Sequence, residues 1–122
     1  MDGERRYLKI FDRFGRAIRL TNERWTHIIS HHPVIKNLKE EMKETLRDPE
    51  IVRRSVYDPS VLIYYRYFKD VLGGKYIAVV VKVNNIKGFI FKGFILTSYV
   101  TDRVKRGDEV WRKEQKEERK SV

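Results

Sequence analysis

Residues 20–33, which read Leu-Thr-Asn-Glu-Arg-Trp-Thr-His-Ile-Ile-Ser-His-His-Pro, are the stretch around which this chain is organised. The hydroxyl of Thr21 can accept a hydrogen bond from a free amide of a first helical turn, so this residue is a good N-cap. Pro33 disfavours helical geometry at the residue before it. The stretch therefore predicts a short helix from about Asn22 to His31, which gathers all the histidines of the protein at or beside its last turn.

Two of the three histidines share one face of this helix. His27 and His31 are four residues apart and stack beside the apolar stripe of Trp25, Ile28 and Ile29. Because an imidazole titrates near neutral pH, such a pair can act as acid and base or supply two metal ligands. The spacing alone favours ordinary solvated histidines at the negative end of a helix dipole. Ile28 stands where the zinc-protease motif has Glu, so we expect no metal site.

The composition is that of one basic domain without cysteine. We expect a single domain over residues 1–111 and a charged tail over 112–122. Trp111 is expected to dock the tail onto the domain, and beyond Trp111 we expect a frayed helix or disorder. The absence of cysteine excludes disulfides and thiolate metal ligands. Without a signal-type or membrane-spanning apolar run, the protein is expected to be cytoplasmic, and no motif indicates a cofactor.

The charge of the chain favours a polyanionic partner. The net charge is +10 and the sequence pI is about 9.9. Much of the excess lies in residues 51–100, which hold eight lysines and arginines and two aspartates. Neutralising phosphates releases counterions and steers association, so RNA is the natural partner class, although a basic surface also serves solubility.

Outside the histidine stretch, the pattern predicts a sheet and one more helix. Residues 7–11 and 17–20 read as a hairpin. Apolar residues recur at helical spacing over residues 34–47 and predict an amphipathic helix there. Nearly all of residues 51–101 reads as strand, and the run over 75–83 is apolar on both faces, as in a central strand. These elements predict an α+β domain in which helices cover one sheet face and leave the other open.

Strand alternation indicates what the open face carries. In the central strand the all-aliphatic face must be the core side, so Lys82 points to the open face. We expect Arg66, on the preceding strand, to join it. A cationic face with tyrosines suits RNA, because rings stack on bases while Lys and Arg hold phosphates. Each such residue is also explained as an ordinary solvated or sheet-packing side chain.

The sequence leaves the register of the last strand open. Lys92 and Gly93 can form either a turn or a bulge. A slip of one residue exchanges the two faces of a strand. The sequence therefore leaves two alternatives for the face that carries Lys82: it holds either Thr97 and Tyr99, or Ser98.

Several short motifs follow one another in the order found in a known group of nucleases. They are Leu20-Thr21-x-x-Arg24-Trp25-x-His27-Ile28-x-x-x-His32-Pro33, Leu46-x-Asp48-Pro49-x-Ile51, Tyr64-Tyr65, Val79-Val80-Val81-Lys82, Thr97-Ser98-Tyr99-x-Thr101 and Lys105-x-Gly107 with Trp111. Over residues 18–111 the chain thus resembles the phage-associated barnase/EndoU/colicin/RelE-like (BECR-fold) nuclease families. The resemblance implies N-terminal helices packed on one face of a four-stranded or larger antiparallel sheet.

The resemblance also implies roles for individual residues. His27 matches the first histidine of the family and is the acid/base candidate. Lys82 matches the strand lysine and, with Arg66, is expected to stabilise charge. Thr97 and Tyr99 match a Thr-x-Tyr pair near the end of the last strand and are expected to hydrogen-bond phosphate.

The second histidine is a choice between two neighbours. His32 falls at the His-Pro position of the family, whereas the helix face described above favours His31. Both are kept as candidates for substrate binding. The other candidates for this role are Tyr64, Ser98 and Lys105.

The implied reaction is attack of a ribose 2′-hydroxyl on the adjacent phosphate, which leaves a 2′,3′-cyclic phosphate and a free 5′-hydroxyl. On this interpretation the protein is a metal-independent ribonuclease, a toxin or phage effector, with tRNA or mRNA as substrate. An antitoxin or immunity protein is then an expected partner. The alternative is a basic RNA-binding or partner-binding module without catalysis, because function depends on the site and not on the fold. A third alternative is a structural protein of a phage or mobile element.

Overall fold

The computed structural model describes residues 6–114 of the chain. The strands within this part are β1 Tyr7–Phe11, β2 Ala17–Thr21, β3 Ile51–Arg54, β4 Val61–Phe68, β5 Lys75–Val83, β6 Gly93–Thr101 and β7 Asp108–Arg112. The helices are α1 Asn22–His31, a 3₁₀ segment Pro33–Asn37 and α2 Lys39–Arg47. Among these elements, no helix is long and apolar enough to cross a membrane.

The strands form one seven-stranded mixed sheet in the order β1-β2-β6-β5-β4-β3-β7. Neighbouring strands run antiparallel, except that β2 and β6 pair in parallel over Ile18–Arg19 and Gly93–Phe94. The prediction of helices on a four-stranded antiparallel sheet, the barnase/RelE-like fold, is therefore wrong. The N-terminal hairpin joins the edge of β6, and the chain after Gly107 returns as β7 beside β3.

The first helix has the bounds that its capping signals predict. The hydroxyl of Thr21 accepts a hydrogen bond from the amide of Arg24 at 3.0 Å, and α1 ends before Pro33. The predicted helix over 34–47 is shorter than expected. Residues 33–37 form a 3₁₀ turn, and the backbone of Leu38 leaves the helical region, so α2 begins only at the next residue.

Both helices lie on one face of the sheet and enclose the main core. Ile28 of α1 and Met42 and Leu46 of α2 are completely buried. They pack with the inward side chains of the strands, among them Ile77, Val79, Val81 and Ile95. Burying one such side chain stabilises the fold by about 1.5–3 kcal/mol, so this layer holds the helices firmly on the sheet.

The other side of the sheet, which presents Tyr76, Ala78, Val80 and Lys82 of β5, is called the open face below. It carries a second, smaller cluster in which Ile51, Tyr65 and Ala78 are buried. Tyr76, Tyr99 and Val104 pack against this cluster. The segment that follows β6 therefore covers part of the face that the sequence predicts to be open.

The first residues of the predicted tail, 112 and 113, take part in the sheet. Trp111 packs against the main core, as predicted, and lies 5.7 Å from the ring of Phe14. However, Arg112 still belongs to β7, and Lys113 donates a backbone hydrogen bond to the carbonyl of Glu50 at 2.8 Å. The rest of the predicted tail, residues 115–122, lies outside the described residues.

Candidate functional site

A bulge in β6 decides which of its side chains reach the open face. The register between β5 and β6 shifts at Leu96, the residue between the pairs Val80–Thr97 and Val81–Ile95. One extra residue exchanges the two faces of the strand that follows it. Because of this bulge, Thr97 and Tyr99 lie on the same face as Lys82, which settles the register that the sequence left open.

Ser98 points to the opposite face. Its side chain is fully buried, and its hydroxyl donates a hydrogen bond to the carbonyl of Ala78 at 2.8 Å. A substrate on the open face does not reach it. The prediction that Ser98 binds substrate does not fit this position, and its hydroxyl serves the pairing of β5 and β6.

Tyr99 is the centre of a polar cluster on the open face. Burial, together with the proximity of and hydrogen bond to Tyr65, raises the pKa of Tyr99 to about 12. The ammonium of Lys105 lies over the ring of Tyr99, 4.9 Å from its centroid. The amide of Lys105 donates to the hydroxyl of Tyr65 at 3.2 Å. Tyr99 thus keeps its phenolic proton at neutral pH and sits beneath a cation.

The end of α1 brings a histidine to this cluster. The ring centroid of His32 lies 5.8 Å from that of Tyr99. His32 is the C-cap of α1, and its amide donates to the carbonyl of Ile28 at 2.8 Å. The guanidinium of Arg24, at the start of the same helix, donates to the carbonyl of Leu96 in the bulge at 3.4 Å. The helix therefore lies along the edge of β6, and among residues 6–114 the histidine whose ring contacts Tyr99 is His32.

No protein-family model, curated protein or solved structure matches this chain. The assignment of a function therefore depends on the geometry of the site and on the motifs that carry the family resemblance.

His27 and His31 form a separate pair on the exposed flank of α1. Their ring centroids are 4.4 Å apart, and Nδ1 of His31 lies 3.0 Å from the carbonyl of His27. Because a carbonyl only accepts, Nδ1 of His31 carries the proton of this hydrogen bond. Within residues 6–114, no hydrogen bond or ring contact joins His27 to the Tyr99 cluster. The predicted acid/base residue His27 is therefore not in contact with the cluster.

Lys82 lies on the open face but at some distance from Tyr99. It is four residues along β5 from the partner of Tyr99, which corresponds to about 13 Å. Its ammonium donates to the carboxylate of Asp58 at 2.8 Å. This hydrogen bond, followed by those from Ser60, holds the pKa of Asp58 well below its usual range. Lys82 lies where it can bind an anion on the open face, but its charge is compensated by the carboxylate of Asp58.

Arg66 and Tyr64 lie on the helix side of the sheet. Arg66 is opposite Ile77, so the expectation that it joins Lys82 on the open face is wrong. Its guanidinium donates to the carbonyl of Asp48 at 2.8 Å and to the carboxylate at 3.0 Å. Arg66 thus binds the residue that ends α2, and its side chain does not reach the open face.

Tyr64 is completely buried and donates a hydrogen bond to the buried carboxylate of Asp12. Burial, followed by this hydrogen bond, raises the pKa of Tyr64 well above its usual value. The prediction that Tyr64 binds substrate is therefore wrong, because the side chain is inaccessible. Asp12, which also accepts from Arg16 at 2.9 Å, is the partner that the sequence pattern did not indicate.

Sequence reasoning missed the basic depression that adjoins the cluster. Its volume is about 440 Å³, and it is lined by Glu50, Ile51, Arg53, Tyr76, Asp102, Arg103, Val104 and Arg112. The guanidinium of Arg53 donates to the carbonyl of Lys105 at 3.1 Å, which ties the depression to the cluster. The alternation of β4 could have indicated Tyr65 as a face partner, but no local signal places β7 and its Arg112 here.

The cluster combines the groups that phosphodiester transesterification requires. A histidine can take or release a proton near neutral pH, a protonated phenol can donate one, and a nearby ammonium can compensate developing negative charge. Within the described range 6–114, no group of three or more His, Asp or Glu side chains is arranged to bind a metal ion. His32, Tyr99, Lys105 and Thr97 are therefore the residues around which a reaction can be formulated.

Proposed function

We propose that the protein is an endoribonuclease that cleaves RNA on its open face by attack of a ribose 2′-hydroxyl on the adjacent phosphate. The observation that carries the proposal is that the ring of Tyr99 contacts the ring of His32 and also lies beneath the ammonium of Lys105. The three side chains come from the end of α1, from β6 and from the segment after it. The fold thus brings together groups that lie more than sixty residues apart in the chain.

In this mechanism His32 is the general base. It accepts the proton of the 2′-hydroxyl while the oxygen forms a bond to phosphorus. The bond between phosphorus and the 5′-oxygen breaks, and the leaving oxygen takes the proton of Tyr99, which solvent then replaces. The products are a 2′,3′-cyclic phosphate and a free 5′-hydroxyl. Tyr99 carries its phenolic proton before the reaction, although burial, which raises its pKa to about 12, makes it a weaker acid than a free tyrosine.

Lys105 and Thr97 bind the phosphate in this scheme. The ammonium over the Tyr99 ring compensates the charge of the phosphorane, where a positioned charge is most effective. Thr97 lies two residues before Tyr99 on the same face and can donate a hydrogen bond to a phosphate oxygen. This scheme gives His32 the role that the resemblance assigns to His27. In a toxin or phage effector, an antitoxin or immunity protein would inhibit by covering this cluster.

The test is cleavage of labelled single-stranded RNA, mRNA and tRNA by the purified protein in excess EDTA, with chemical analysis of the fragment ends. Wild type is expected to leave 2′,3′-cyclic phosphates. His32→Ala is expected to lower the rate about 10²- to 10⁴-fold, the usual contribution of a general base. His31→Ala is the matched control, because this neighbouring ring contacts His27 and not Tyr99. A loss of activity in His27→Ala or His31→Ala, but not in His32→Ala, would show that the assignment is wrong.

The second candidate function is RNA binding without cleavage. The positions of two predicted catalytic cations favour it, since Lys82 pairs with Asp58 and Arg66 lies on the other face with Asp48. In that case the same experiment leaves all RNA intact. Wild type and His32→Ala then bind RNA equally well, with an affinity that falls steeply as salt is added.

A further inference from the structure

The open face continues beyond the catalytic cluster as a row of basic and aromatic side chains. The strand register places Lys82, Phe94, Arg19 and Lys9 side by side on β5, β6, β2 and β1. We refer to these four residues as the cationic row. Adjacent strands lie about 4.8 Å apart, so the row spans about 14 Å of the surface.

Aromatic rings flank the row, and each lies beside one of its cations. The guanidinium carbon of Arg19 is 5.7 Å from the ring centroid of Phe91, and the ammonium of Lys9 is 5.6 Å from that of Phe11. The side chain of Phe11 is 54% exposed. A depression of about 430 Å³ adjoins the row, lined by Arg19, Asn84, Gly88, Phe89, Ile90, Phe91, Gly93 and Phe94. Phe91 and Phe94 are half-buried, so the rings and the cations beside them form one partly accessible surface.

Within the part of the chain that the structure describes, one ion pair, between Lys82 and Asp58, compensates the charge of the cationic row. Residues 84–101 and both strands of the N-terminal hairpin contain no Asp or Glu. At one end of the row, Lys82 pairs with Asp58. Among residues 6–114, no ion pair involves Lys9 or Arg19. A surface of this kind is complementary to a polyanion that also has flat faces to stack.

We propose that the cationic row binds unpaired nucleotides of the RNA beside the cleaved bond. Bases stack on Phe91 and Phe94 while Arg19 and Lys9 hold phosphates, the combination that binds single strands without sequence preference. A duplex hides its base faces, so the surface selects unpaired RNA. Thr97 lies on β6 between the row and Tyr99, so a single strand can follow β6 from one to the other. This inference rests on the proposed function and specifies its substrate class.

The test measures binding separately from cleavage, with a 2′-O-methyl oligonucleotide of about 12 nucleotides, which cannot be cut. Each phosphate contact of a single strand contributes about 0.7 to the slope of log affinity against log salt concentration. The double variant Lys9→Ala/Arg19→Ala is expected to lower that slope by about 1.4. Phe94→Ala is expected to weaken binding about tenfold without changing the slope. The matched control is Lys36→Ala/Arg47→Ala, which removes two exposed charges from the helical layer and is expected to bind like wild type.

A second readout is cleavage of a dinucleotide, which spans only the catalytic cluster. The rate is expected to be the same for wild type and for the double variant of the row. The inference is overturned if the row and control variants bind alike, if a duplex binds as tightly as a single strand, or if dinucleotide cleavage falls in the row variant. If no RNA is cleaved but binding still depends on the cationic row, the proposed catalytic function is wrong and the inference that the row binds RNA is supported.

Discussion

Three consecutive residues of β6, Thr97, Ser98 and Tyr99, are expected to respond in opposite ways when each loses only its hydroxyl. Ser98→Ala removes one buried hydrogen bond, to the carbonyl of Ala78, and should destabilise the protein by about 1 kcal/mol. With a urea m-value of about 2 kcal/mol per molar, the unfolding midpoint falls by about 0.5 M. RNA cleavage by this variant is expected to equal that of wild type, because the side chain faces the core.

The two neighbours of Ser98 should show the reverse. Tyr99→Phe keeps the ring that contacts His32 but removes the proton donor, so cleavage should fall about 10²- to 10⁴-fold. Thr97→Val loses a hydrogen bond to a charged phosphate, worth about 1.5–3 kcal/mol, which slows cleavage at least about tenfold. The unfolding midpoint of Thr97→Val should stay close to that of wild type.

The assay is urea unfolding followed by circular dichroism, together with cleavage of labelled RNA, on the three variants and wild type. The expected alternation follows from the bulge at Leu96, which sets the face of every later residue in β6. An inactive Ser98→Ala with a normal unfolding midpoint, beside active Thr97→Val and Tyr99→Phe, would refute this register. Full activity of Tyr99→Phe alone would refute the acid role and leave the register intact.

Three further predictions concern two carboxylates that accept hydrogen bonds and one half-buried tyrosine. Asp12→Ala should destabilise the protein by about 3 kcal/mol or more, because it leaves the buried hydroxyl of Tyr64 without its hydrogen-bond acceptor. Tyr64→Phe should destabilise the protein less, and urea unfolding measures both changes. Alkaline pH should also destabilise the protein, because burial raises the pKa of Tyr99 to about 12, above that of a tyrosine in the unfolded chain. The stability that the protonated Tyr99 contributes is complete below about pH 10 and is lost as the pH passes about 12. Urea midpoints between those pH values should fall less in Tyr99→Phe than in wild type. Asp58→Asn should free the ammonium of Lys82, so that RNA binding becomes tighter and its salt slope steeper by about 0.7, measured by fluorescence anisotropy.

Local signals predict the elements of this protein well. The cap at Thr21 and the proline at position 33 are sufficient for the bounds of α1, because both act through the backbone of their immediate neighbours. The central strand over 75–83 is also where the apolar run places it. Val34 to Arg47 shows the limit of such reasoning. Helical periodicity there does not reveal that the backbone at Leu38 interrupts the helix.

Non-local pairing accounts for the errors. Arg66 faces the core because it lies opposite Ile77, and alternation within one strand does not say which face of the next strand it shares. The bulge at Leu96 is invisible in the sequence, although it decides the face of Tyr99. The mixed sheet depends on the parallel contact of β2 with β6, and no residue pattern in either strand indicates that neighbour.

That same parallel contact explains why the candidate site lies where it does. β2 pairs with β6 only over Ile18–Arg19; its last two residues pair with β1 alone, and the chain then forms α1. The remaining edge of β6 is therefore without a strand, and α1 lies along it with the guanidinium of Arg24 on the carbonyl of Leu96. A helix of ten residues is about 15 Å long, so its end reaches several residues further along β6. His32 consequently meets Tyr99, and the site forms because a helix replaces a strand at this edge.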